Sequence, residues 1–141
     1  MAKNCTYCLK RSPDCNQCDT MEKEINEMQD FLEQDVSDDP NSLVEKLTMI
    51  NVYMARSGRL LAEAKSVQDE ITECMFETKR EAILSMSPTI ASKYIQSKLS
   101  NINRLVNLLD RQNRAFVHVG DNLRTQISFA KQDMALQRKG Y

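Results

Sequence analysis

Between residues 102 and 134 the chain places apolar or small side chains at alternating steps of three and four. The series is Ile102, Val106, Leu109, Asn113, Phe116, Gly120, Leu123, Ile127, Ala130 and Met134. Such a heptad seam is the pattern of a long helix packed lengthwise on another helix. No Pro interrupts it. At about 1.5 Å rise per residue, a helix of this extent spans roughly 50 Å.

A partner seam lies upstream. Leu47, Ile50, Met54, Ser57, Leu61, Ala64, Gln68, Ile71, Met75, Thr78 and Ala82 keep a seven-residue repeat. A strict repeat of that period implies a left-handed supercoil with the partner helix. Ser57 and Ala64, with Gly58 beside them, leave room for close approach. Cys74 sits beside the seam and reads as a small buried hydrophobe.

Punctuation sets the remaining elements. Asp19 with Glu22, and Ser42 with Glu45, have the spacing of capping boxes. Asp38, Asp39 and Pro40 end the first helix, and Ser87 before Pro88 starts another. Ser100 and Asn101 suggest a break. The expected helices cover about 20–35, 42–84, 89–98 and 101–137. The fold class is therefore all-α: a long antiparallel helical hairpin, coiled-coil-like, over 19–141. Three Gly, three Pro and 6% aromatic residues argue against a β fold. No stretch approaches the roughly 18 apolar residues of a membrane span, and the N-terminus lacks a signal-peptide pattern. The expectation is a soluble, cytoplasmic protein. A rod of this kind buries less surface than a globule, so a homo-oligomer or a partner is expected to complete its core.

Residues 1–18 form a separate unit. Cys5 and Cys8, then Cys15 and Cys18, make two C-x2-C knuckles six residues apart. Two such pairs suit tetrahedral zinc, since each directs two thiolates at one metal. Four thiolates leave no open position, so the zinc would be structural. A redox pair, disulfides or an iron–sulfur cluster are the competing uses of the same cysteines.

Charge is split along the chain. Residues 1–78 carry 8 Lys/Arg against 16 Asp/Glu, and residues 79–141 carry 11 against 4. The acidic share includes Glu22, Glu24, Glu27, Asp30 and Glu33 on the first helix, opposite its apolar stripe of Met21, Ile25, Met28 and Leu32. On the last helix, Arg104, Arg111, Arg114 and His118 fall together opposite the seam, whereas Arg124, Lys131 and Arg138 flank it. Arginines one or two turns apart suit a row of phosphates, because each guanidinium can fork two oxygens. A merely solvated face has the same pattern. Covering of the basic half by the acidic helix is a further possibility. Tyr94 and Phe116 read as core residues rather than base-stacking platforms. One His and three isolated Gly offer neither a catalytic triad nor a phosphate loop, so no enzyme is expected.

Two segments carry a resemblance. The stretch VYMARSGRLLAEAK, from Val52 to Lys65, and LLDRQNRAFVHVGDNLRTQIS, from Leu108 to Ser128, resemble small helical proteins of bacteriophages and prophages. Over roughly 42–137 the layout is also similar, more distantly, to phage recombination mediators of the UvsY type. The resemblance implies an accessory protein of DNA recombination or replication in the host cytoplasm. It would bind single-stranded DNA, oligomerise and contact a recombinase or a single-strand binding protein. Arg114 and Arg124 would be the nearest counterparts of that family's basic residues. The nucleic-acid candidates taken together are Arg104, Arg111, Arg114, Arg124 and Lys131. The N-terminal cysteine unit is not part of that family's pattern. The alternative is a zinc-stapled helical protein–protein adaptor without nucleic-acid binding.

Overall fold

The computed structural model describes residues 16–35 and 37–140, with the side chains of 16 and 17 left aside. Four helices follow in order: α1 (Asn16–Glu33), α2 (Pro40–Thr78), α3 (Arg80–Ser85) and α4 (Pro88–Arg138). Among the described residues there is no strand.

The hairpin expected from the two seams is present, formed by α2 and α4. Asn113 Nδ2 on α4 donates to the Met54 carbonyl at 3.1 Å and to Ser57 Oγ at 3.0 Å. Gln68 donates to Asn103 across the same interface. A Cβ on Gly120 would lie 3.5 Å from Ile50 Cγ2. These contacts fix an antiparallel register in which each step along α2 matches one step back along α4.

The seams themselves are wider than expected. From α2, Leu60, Val67 and Cys74 are buried beside Ile50, Ser57, Ala64, Ile71 and Met75. From α4, Leu105 and Gln112 join Ile102, Leu109, Phe116, Gly120 and Leu123. The cause is α1, which lays Met21, Ile25 and Met28 onto the hairpin, each no more than 2% exposed. A helix with two neighbours needs a broader apolar stripe than one with a single partner. Phe116 sits at the centre, fully buried, with its ring stacked on Tyr53 at 5.9 Å. Tyr53 in turn meets Phe31 of α1 at 4.9 Å. Both aromatics singled out as core residues, Phe116 and Tyr94, belong to the packed interior or its edge.

Several boundaries differ from the sequence expectation. Helix α1 begins at Asn16, so Asp19 lies in its first turn and is not its cap. Asp39, not Ser42, caps α2: its carboxylate accepts from the Ser42 N–H at 3.2 Å, with Pro40 at the first helical position. The second helix breaks at Lys79, and Ile83 of the short α3 takes the buried place expected of Ala82. Ser87 caps α4 as expected, accepting from the Ile90 N–H. The break expected at Ser100 and Asn101 is absent, and α4 runs unbroken for 51 residues. Ser and Asn cost only about 0.5 kcal/mol each against Ala in a helix, less than burial of the flanking Leu99 and Ile102 returns.

Of the N-terminal cysteine unit, Cys5, Cys8 and Cys15 lie outside the described residues. Cys18 stands inside α1, 8% exposed, in the apolar cluster with Met21 and Ile25.

Candidate nucleic-acid interface

The register explains why α4 has a free end. With Gly120 beside Ile50 and Asn113 beside Met54 and Ser57, α2 begins about level with Ala130. Every residue from 131 to 140 is exposed. The molecule thus thins along its axis, from three helices beside α1, to two, to α4 alone. Met134, expected in the seam, is 45% exposed, and Phe129 and Leu136 are 62% and 52% exposed. Lys131, Arg138 and Lys139 line a shallow hollow there with Met134 and Ala135.

The cations expected to form one strip are placed differently from one another. Arg104 reaches across to α1, where its Nη2 lies 2.9 Å from Glu22 Oε1. Arg114 pairs within α4 with Asp110 at 3.2 Å, and Arg124 with Asp121 at 3.0 Å. Both are exposed pairs one turn apart, a kind typically worth about 0.3–0.5 kcal/mol. Phosphate can replace so weak a partner, so these two arginines keep their capacity for a polyanion. Arg111 and Lys131 have no ion pair among the described residues. Arg111 borders two hollows. One is lined by Ser100, Asn103, Arg104, Asn107 and Leu108. The other lies between α4 and the Gln29, Leu32 and Glu33 side of α1. His118 is exposed on the outer face of α4.

Helix α1 therefore covers part of the basic strip while serving as a core element. Three polar contacts anchor it. Glu24 pairs with Arg56 of α2 at 3.1 Å. Gln112 of α4, 4% exposed, donates to the Ile25 carbonyl at 2.7 Å. Lys46 of α2 donates to the Gln34 carbonyl at 2.8 Å, just past the end of α1, and stands over the Phe31 ring at 5.6 Å. A cation at a helix C-terminus satisfies a carbonyl left over by the helix and opposes the negative end of its dipole. Burial lowers the Lys46 pKa, and the nearby Asp35 carboxylate offsets this only in part. None of these contacts was foreseen, because each joins residues far apart in the chain with no periodic signal.

The metal reading rests on the cysteine spacing. Among the described residues no group of three or more His, Cys, Asp or Glu could hold a metal. Cys74 is disulfide-bonded. The chain has five cysteines. Within one chain, a disulfide to Cys74 must therefore draw its second sulfur from the four of the knuckle pair. That disulfide and a complete four-thiolate shell exclude each other in the same molecule.

Among the described residues no helix is long and apolar enough to cross a membrane. Comparison with known protein families, with curated proteins and with solved structures finds no match to this chain.

Proposed function

We propose that this chain is a non-enzymatic helical accessory protein that binds single-stranded DNA along α4, in the manner of a recombination mediator. One observation carries the reading. Arg111, Lys131, Arg138 and Lys139 stand exposed on a single helix, without an ion pair among the described residues. From residue 111 to 138 they extend over about 40 Å. A polyanion would neutralise them at little desolvation cost, releasing its own counterions. Arg114 and Arg124 would join by exchanging weak carboxylate partners for phosphate. The protein would act in the cytoplasm, of the host cell if phage-borne, as an oligomer that meets a recombinase or a single-strand binding protein. The four N-terminal cysteines, when reduced, would hold a structural zinc that staples the start of α1.

A second reading is favoured by a different observation. Phe129, Met134 and Leu136 are exposed beyond the start of α2. An apolar helix end of this kind suits a helical protein partner. In that reading the chain is a zinc-stapled adaptor and its charges serve solubility.

Fluorescence anisotropy of a labelled single-stranded oligonucleotide at low salt separates the two. Saturable binding by the wild type supports the first. No binding by a folded protein leaves the adaptor.

A further inference from the structure

The Glu22–Arg104 pair joins α1 to α4 at the solvent edge. The two side chains are 38% and 47% exposed. The Arg104 guanidinium also donates to Asn101 Oδ1 at 3.4 Å. Beside it opens the hollow lined by Ser100, Asn103, Asn107 and Arg111. Two guanidinium groups, two amides and a hydroxyl thus converge on one polar depression. That donor set recognises a phosphodiester: guanidinium groups fork its oxygens, and amides and hydroxyls complete them. One anion already stands at this place, and it is the Glu22 carboxylate.

We infer that the hollow between Ser100 and Arg111 is a phosphate subsite for the single strand, with Glu22 as its resident competitor. The inference rests on the single-stranded DNA reading and refines it. In the free protein Glu22 holds Arg104 in place of a phosphate. A bound strand must displace that carboxylate, so the pair lowers affinity and favours dense runs of phosphate over isolated anions. Met21, Ile25 and Met28 keep α1 docked throughout. Only the side chains exchange, and the helix does not leave.

The test compares wild type, Glu22→Gln and the Glu22→Gln/Arg104→Gln double variant by oligonucleotide anisotropy over a salt series. Glu22→Gln should bind about twofold to fivefold tighter at low salt, the worth of an exposed ion pair. Its plot of log affinity against log salt should be steeper by about 0.7, one further phosphate contact on a single strand. Removing Arg104 as well should abolish both gains, which undocking of α1 would not do. Wild type and Glu22→Gln binding with equal affinity and slope would overturn the inference and leave the reading intact. Absence of binding by both would overturn the two together.

Discussion

Gln112 on α4 donates to the backbone carbonyl of Ile25 on α1 across 2.7 Å, from a position only 4% exposed. It is a polar contact between the acidic helix and the hairpin that water does not reach. Its remaining amide oxygen is buried without a partner. The bond thus fixes the height of α1 along α4 while contributing modestly to stability. Gln112→Ala should cost about 1–2 kcal/mol, a lost buried hydrogen bond plus a small void. Hydrogen exchange should quicken in residues 18–33 more than in 60–75. Uniform quickening in both would show that α1 is not separately anchored there.

Phe116 is the larger test of the core. It is fully buried between α2 and α4 with Tyr53 against its face. Phe116→Ala should lose about 3–5 kcal/mol in urea unfolding. A loss under 1 kcal/mol would mean that the hairpin does not close at this point.

Gly120 behaves opposite to its first appearance. A small residue in a seam suggests that two backbones need to touch. Yet the Cβ of an alanine there would meet Ile50 Cγ2 at 3.5 Å and Met54 Cε at 3.9 Å, ordinary contact distances. The same holds at Gly58, whose nearest atom is Asn113 Nδ2 at 3.6 Å. Gly120→Ala and Gly58→Ala should each raise stability by roughly 0.5–1 kcal/mol, the helix penalty of glycine. Destabilisation by either would show a tighter approach than these distances.

The hairpin was legible because heptad spacing is a one-dimensional signal that a single partner helix imposes. The second stripe was not. Leu105 and Gln112 turn inward only because α1 lies over them, and a glutamine in a helix reads as a solvent residue until its partner is known. The unbroken α4 was hidden by Ser100 and Asn101, two weak breakers that packing outweighs. The basic strip was legible as a list of arginines but not as a surface. Glu22 and Arg104 are 82 residues apart, and no periodicity links them. The free end of α4 was likewise invisible. Its seam continues to Met134, and only the register shows that α2 starts too late to cover it.

Lys46 gives a pH dependence with a definite sign. Its pKa lies below the ordinary 10.5 through burial. Between the two values the folded protein binds fewer protons than the unfolded chain, so stability rises with pH there. The urea midpoint of the wild type should therefore rise relative to Lys46→Met as pH approaches 10.5 from below. A difference that stays flat or falls would contradict the burial of this ammonium.

The cysteine unit makes a separable prediction. The α2–α4 core draws its buried apolar side chains from residues 43–75 and 99–123. Stripping metal with a chelator should leave the helical circular dichroism signal nearly intact. Protein kept reduced should carry about one zinc per chain, by its four thiolates. Metal-free reduced protein whose cysteines alkylate at once would remove zinc from the account.

The central claim is that the unpaired cations of α4 hold single-stranded DNA. It is tested most directly by oligonucleotide affinity over a salt series, for the wild type and an Arg111/Lys131/Arg138→Ala variant. The expected wild-type slope of log affinity against log salt is at least about −2, three phosphates or more at roughly −0.7 each. The variant should lose most of that slope and of the low-salt affinity, with its helical signal unchanged. Wild-type and variant curves that coincide, or a folded wild type that does not bind, would contradict it.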